Sequence, residues 1–232
     1  MAERFAEHGA KVMLAGRKQE TLDAAANIIH SRSGTVGTAA VDVRDYGAVQ
    51  AALRKTREQF GEIDILICGA AGNFPAPALG ISANGFKAVV DIDLNGTFNT
   101  CRAAYEFLKK PGASIISISA NQATAPMAYQ AHVCAAKAGV ELLTKTLALE
   151  WGPVGIRANC ITPGPTDDTE GMRRLAPTAD ARQRCIDAVP LRRLGSKDEL
   201  ADLALFLCTE AASYMTGGVY LCDGGTSMRG SL

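Results

Sequence analysis

The stretch from Ser114 to Glu150 restricts this chain to a small set of folds. It opens on Ser114-Ile115-Ile116-Ser117-Ile118-Ser119, a short apolar β-branched run that predicts a buried strand. A loop of small and polar residues follows over 120–125. A helical pattern then runs from 127 to about 151 and carries Lys137 in its first half. A buried strand feeding a loop and then a helix places that loop at the carboxyl end of a parallel sheet. Open α/β sheets bind their ligands there.

The rest of the chain repeats the alternation. Residues 1–8 read as a helix closed by Gly9, a residue that favours helix C-termini. A strand over 11–15 follows, then a helix over 19–31 with Leu22, Ala25, Ala26 and Ile29 on one face. Residues 35–41 form a strand leading into Asp42-Val43. The helix over 46–60 turns Val49, Leu53, Thr56 and Phe60 inward and ends near Gly61. A strand over 63–68 runs into a turn-rich segment, 69–80. A long helix over 84–109 is stopped by Pro111-Gly112. After the central helix come a strand over 156–161 and a lid of short helices over 166–189. A helix over 197–208 is capped by Ser196, with Asp198 and Glu199 in its first turn. The last strand spans 214–221. Strands alternating with helices imply parallel pairing with helices on both faces. The fold class is therefore a doubly wound, Rossmann-like α/β sheet, and all 232 residues belong to one domain.

Charge and cysteine usage narrow the function. Lys+Arg and Asp+Glu both number 24, so the net charge is zero and nothing draws the chain to nucleic acid or an acidic membrane. No apolar run reaches the roughly 18 residues of a membrane span. The start carries Glu3, Arg4, Glu7 and His8, against a secretory signal. Seven cysteines without a C-x-x-C spacing predict free thiols in a reducing, cytoplasmic setting and no metal site. The terminal Gly-Ser-Leu is a poor match to a peroxisomal address.

The strand, loop and helix around Lys137 resemble the short-chain dehydrogenase/reductase family. Its active site has a Ser after this strand and a Tyr-x-x-x-Lys on this helix. Lys137 stands at the lysine position, Val133 where the tyrosine belongs and Ala120 where the serine belongs. The resemblance also implies a first strand and a glycine-rich turn ahead of the opening helix. Neither occurs in this sequence. The expectation is a sheet lacking that central strand, between the strands at 11–15 and 63–68, in a chain truncated from a longer one.

Several residues then take expected roles. Gly16-Arg17-Lys18 follows the second strand of the family pattern. A basic residue there accommodates a 2′-phosphate where an acid would bond ribose hydroxyls, so Arg17 and Lys18 predict NADPH. As alternatives, they are two solvated cations in a loop. The resemblance implies that Asp42 contacts the adenine and Val43 packs on it. Gly69-Ala70-Ala71-Gly72-Asn73-Phe74 supplies small residues, Ala70 and Gly72 among them, that let backbone approach a cofactor. The family's asparagine pair is replaced here by Cys68-Gly69. The family's Asn that holds a catalytic water is replaced by Asp93, a base whose carboxylate and the Lys137 ammonium would favour each other's charged forms. His132 borders the lysine's face of the helix. Lys137 is implied to bond the nicotinamide ribose, the backbone at Pro163 and Gly164 to border the nicotinamide, and Thr166 to bond its carboxamide or the pyrophosphate.

Asp93, Ala120, His132, Val133 and Lys137 together look like the peroxisomal type of 2,4-dienoyl-CoA reductase. So do Ala70 to Phe74, Pro163-Gly164-Pro165 and Thr169-Glu170-Gly171-Met172-Arg173-Arg174-Leu175. The expected function is reduction of an activated double bond of an acyl-CoA thioester by NADPH, with Lys137, Asp93 and His132 catalytic. Two other readings stay open: a carbonyl or alcohol oxidoreductase with His132 as its acid, and a non-catalytic scaffold. Apolar Ala135, Ala136, Leu142, Leu143, Leu147 and Leu149 on the central helix exceed what one core face needs, which predicts a homo-oligomer, dimer or tetramer.

Overall fold

The computed structural model describes residues 1–228. The Gly-Ser-Leu end lies outside the described residues. In chain order the elements are α1 (Ala2–Glu7), β1 (Val12–Gly16), α2 (Gln19–Ser31), β2 (Val36–Ala40), α3 (Tyr46–Phe60) and β3 (Ile65–Cys68). Then come α4 (Ala83–Val90), α5 (Gly96–Ala104), β4 (Ser114–Ile118), α6 (Ala131–Trp151), β5 (Arg157–Pro163), α7 (Glu170–Leu175), α8 (Ala179–Ala188), α9 (Lys197–Leu207) and β6 (Val219–Cys222).

All strand pairs are parallel. β3, β4, β5 and β6 form one sheet in that order, and β1 pairs with β2 in a second. As expected of a sheet that lacks the strand between them, β1 and β3 are not hydrogen-bonded to each other. β4 is buried along its length, as a strand covered on both faces must be. Its successive side chains serve opposite layers. Ile115 packs with Val49, Leu53, Cys101, Ala104 and Leu147 of α3, α5 and α6. Ile116 packs with Phe5 of α1 and Ala204 and Leu207 of α9. Among the described residues no helix is long and apolar enough to cross a membrane.

Caps set several helix starts. Asp45 accepts from the Ala48 N–H at α3, and Ser82 from the Gly85 N–H at α4. Ser196 and Glu199 form a reciprocal capping box at α9. Most boundaries shift by one or two residues, and the larger differences from expectation are these. The helix over 84–109 is α4, a π-helical segment Asp91–Asn95, and α5. It ends early because Ile63 and Leu108 form a bridge between their backbones. α6 begins at Ala131 rather than 127, because Tyr129 has φ +67° and breaks the helical path. The last strand shortens to Val219–Cys222, since Gly217 turns the chain at φ +71°.

Candidate active site

The site sits where the carboxyl ends of β3, β4 and β5 meet α6. A π-helical turn has one more residue per hydrogen-bonded ring than an α-turn, and such bulges cluster at functional positions. Asp93 stands in the middle of the Asp91–Asn95 bulge and is fully buried. Its Oδ1 accepts the Gly72 N–H at 2.7 Å. Its Oδ2 lies 3.2 Å from Lys137 Nζ, yet accepts no hydrogen bond in this geometry. Lys137 is 5% exposed and donates to the Ile118 carbonyl at 3.0 Å, at the end of β4. Two groups that the sequence places 44 residues apart thus form a buried ion pair. Burial of either charge alone would be costly, and the partner offsets it.

Gly72 makes this approach possible. A Cβ there would sit 3.0 Å from Ile92 Cδ1 and 3.9 Å from Asp93 Oδ1. The loop after β3 is fastened along α6: Asn73 donates to Gln130 Oε1, the Phe74 ring meets the His132 ring edge-on at 4.4 Å, and the Ala76 N–H bonds the Tyr129 carbonyl. His132 is fully buried. Its Nδ1 accepts the Val133 N–H, and its Nε2 has no partner. Its ring makes no hydrogen bond to Lys137 or Asp93, so the structure brings Asp93 and Lys137 together and leaves His132 in the wall behind Phe74. Val133 is buried with Val89 and Ala136 in an apolar cluster. Ser119, beside Ala120, cannot supply the absent hydroxyl: it is buried and donates to Glu141 Oε1 at 2.6 Å.

The expected cofactor residues line the same end of the sheets. The Arg17 and Lys18 side chains are exposed, and the Arg17 charge lies near Asp42. Asp42 is gripped by Arg44, whose Nε and Nη2 donate at 3.0 and 2.6 Å. Those bonds, the Arg44 N–H and the nearby Arg17 charge hold the Asp42 carboxyl at about 2, below its ordinary 3.8. Val43 packs against Gly96, where a Cβ would approach it to 2.5 Å, and its carbonyl accepts from Asn99. Ala70 is exposed beside half-buried Gly72. Pro163 ends β5. Gly164 passes so close to Asp223 that a Cβ would lie 2.5 Å from the Asp223 Cα. Thr166 is buried and spends its hydroxyl proton on the Gly164 carbonyl at 3.0 Å. That bond shapes the turn and leaves only the oxygen's lone pairs for a ligand.

Three features were not foreseen from the sequence: the Gly72 amide on Asp93, the Ser119–Glu141 contact, and Asp223 behind Gly164. Burial pushes the Asp223 carboxyl up, but bonds from Ser227 and the Gly225 N–H outweigh it and lower the net value. The spacing of Glu141 four residues after Lys137 was the one available signal, since such pairs share a helix face. All seven cysteines are free thiols. Burial is the main cause that pushes Cys160 up to about 12, which makes it a core group rather than a nucleophile.

Comparison with known proteins fits this geometry. A family model described as enoyl-(acyl carrier protein) reductase matches residues 1–227. A peroxisomal 2,4-dienoyl-CoA reductase of Saccharomyces cerevisiae is 44% identical over 94% of this chain and 75% of its own length. One from Danio rerio is 42% identical over 97% of this chain and 76% of its own. Among solved structures, a short chain dehydrogenase from Bacillus anthracis superposes with a TM-score of 0.88 at 39% identity, covering 100% of this chain and 92% of that one. A gluconate 5-dehydrogenase from Burkholderia cenocepacia, solved with NADP and tartrate, gives 0.88 at 27% identity over 99% and 90%.

Proposed function

This chain belongs to the short-chain dehydrogenase/reductase family of oxidoreductases, and from that premise we propose that it reduces a conjugated acyl-CoA thioester, a 2,4-dienoyl-CoA, with NADPH. The observation that carries the proposal is the buried Asp93–Lys137 pair in a site whose hydroxyl positions hold Ala120 and Val133.

The residues present fit the adenosine and nicotinamide ends of a nicotinamide cofactor. Arg17 and Lys18 offer exposed cationic side chains for a 2′-phosphate. Asp42 and Val43 border the place for an adenine, and Ala70 and Gly72 leave backbone uncovered by side chains. The Lys137 ammonium has donors beyond the one used on Ile118, and Pro163, Gly164 and Thr166 border the nicotinamide end. When bound, the cofactor supplies hydride to the far end of the conjugated system. Charge then gathers on the thioester oxygen, and the Lys137 ammonium lowers its cost. Asp93 Oδ2 is enclosed beside the Lys137 ammonium, and this pair manages the proton delivered to carbon through a water when the site opens to substrate. His132, whose Nδ1 accepts the Val133 N–H and whose Nε2 has no partner among the described residues, stands as a further candidate for a proton step.

The exposed Leu142 and Leu149 on α6, with Phe98 on α5, support a homo-oligomer joined through these helices. The test of the activity is an assay with NADPH and a 2,4-dienoyl-CoA. Asp93→Asn should lower kcat by about 10²-fold or more, the usual share of a proton-managing group. Arg17→Ala with Lys18→Ala should weaken NADPH and leave NADH unchanged. Turnover of ketones with none of any enoyl thioester would reject the proposal.

A further inference from the structure

α6 does not meet the sheet through an apolar stripe alone. Lys137, Glu141 and Thr144, at the i, i+4 and i+7 spacing of one helix face, are all buried and all tied to strand ends. Lys137 Nζ donates to the Ile118 carbonyl at 3.0 Å. Glu141 Oε1 accepts the Ser119 hydroxyl at 2.6 Å and the Thr162 hydroxyl at 3.3 Å. The Thr144 hydroxyl lies 2.9 Å from that of Ser117.

Glu141 is the odd member. It is 7% exposed and, among the described residues, takes part in no ion pair. A carboxyl group so enclosed costs free energy unless its oxygens are bonded, and an apolar residue would pack against the sheet at less cost. Its two hydroxyl partners stand at telling places. Ser119 follows Ile118, whose carbonyl seats the Lys137 ammonium, and its own N–H bonds the Ile161 carbonyl. Thr162 precedes Pro163-Gly164, the segment that borders the expected nicotinamide place.

We propose that Glu141 is a positioning residue. By accepting from Ser119 and Thr162 it bolts the outgoing ends of β4 and β5 to α6, one turn beyond Lys137, and so fixes the ammonium's seat. It acts by hydrogen-bond acceptance and not through its charge. The inference rests on Lys137 being a cofactor contact, but its test does not.

Pulsed acetylation of the folded chain, read by peptide mass spectrometry, gives the labelling of Lys137 relative to Lys145, which is exposed on the same helix. Glu141→Gln keeps an acceptor oxygen and should leave the ratio within about twofold. Glu141→Leu, and the triple variant that adds Ser119→Ala and Thr162→Val, should raise it about tenfold, since two buried hydrogen bonds that limit local opening are gone. The triple variant removes the carboxyl together with both of its hydroxyl donors, so it strands no further buried polar atom and protects folding, which circular dichroism checks. NADPH affinity, where measurable, should fall with the rise in labelling. A folded triple variant with the wild-type ratio would overturn the proposal. So would a Glu141→Gln ratio as high as that of Glu141→Leu. If both apolar variants unfold, Ser119→Ala decides: a ratio raised severalfold supports the bolt, and an unchanged one refutes it.

Discussion

Neutralising Asp93 tests the electrostatics of the site without any assumption about substrate. Its Oδ2 lies 3.2 Å from the Lys137 ammonium, with the two side chains 0% and 7% exposed. At an effective dielectric constant of about 20, that separation corresponds to about 5 kcal/mol of attraction, most of it spent on offsetting the desolvation of both charges. Asp93→Asn keeps an oxygen for the Gly72 N–H, so the backbone contact at 2.7 Å survives. The change leaves Lys137 facing a neutral amide. Breaking one side of a buried pair costs about 3 kcal/mol or more, and in a domain of this size each kcal/mol moves Tm by about 2–4 °C. Asp93→Asn should therefore melt about 6–12 °C lower. Adding Lys137→Met removes the stranded charge, and the double variant should recover most of the loss, since no buried charge is then left without its partner. Urea denaturation of the four proteins of this cycle should give a coupling of about 3 kcal/mol. Salt at 1 M should leave that coupling intact, whereas exposed pairs such as Arg4–Asp202 are screened. A single variant within 1 kcal/mol of wild type, or a double variant as unstable as the two singles summed, would refute the account of the pair.

Gly164→Ala would place a Cβ 2.5 Å from the Asp223 Cα and 2.8 Å from its carbonyl oxygen. Backbone must then move, and thermal melting should show an overpacking loss of about 1–3 kcal/mol; an unchanged Tm would contradict the close approach. Arg44→Ala should raise the Asp42 carboxyl from about 2 toward its ordinary 3.8, read as the midpoint of its carbon-13 NMR titration. Because the folded value is the lower one, the Arg44 contact stabilises fully above about pH 4 and fades as pH falls through about 2. A midpoint that stays near 2 without Arg44 would assign the shift elsewhere. Leu142→Glu with Leu149→Glu, on side chains 67% and 79% exposed, should split the proposed oligomer in analytical ultracentrifugation. An unaltered sedimentation coefficient would place any interface on another face.

Most of the architecture was legible because its signals are local. The apolar run at Ser114–Ile118 leaves no alternative to a buried strand, and the three-four spacing of apolar residues in α2 and α3 fixes which faces turn inward. Lys137 could be placed from its helix and the preceding strand. The Asp93–Lys137 contact could be expected only as a tendency, because the aim of Asp93 depends on the π-helical turn Asp91–Asn95. A ring closed one residue later leaves no mark in composition or periodicity. The start of α6 was misread for a related reason. No Ser, Thr, Asp or Asn stands at its N-cap, and the chain turns instead through Tyr129, held by the Ala76 N–H from a distant loop. Such tertiary bonds decide boundaries that propensity leaves open. His132 was a fair candidate on helix geometry, but only the packing against Phe74 reveals how it is enclosed.

The two absent hydroxyls gain their meaning from what surrounds their positions. Had Ala120 and Val133 left a wet gap, a water could replace a tyrosine or serine as donor beside the hydride acceptor. Val133 instead closes an apolar cluster with Val89 and Ala136, and the hydroxyl of Ser119, next to Ala120 in the chain, is engaged by Glu141. A carbonyl group receiving hydride develops its negative charge on the adjacent oxygen and needs a proton there at once. A conjugated thioester instead moves that charge along its double bonds to an oxygen several atoms from the hydride acceptor. A cation near that oxygen and a base that manages one proton at carbon then suffice, which is the pair that Lys137 and Asp93 form. Restoring the donor separates the two chemistries: Val133→Tyr with Ala120→Ser should add ketone reduction to a site that keeps its lysine. If the restored site reduced ketones no better than before, hydroxyl loss would not be what sets the preference, and the reading of Asp93 would have to stand on its own kinetics.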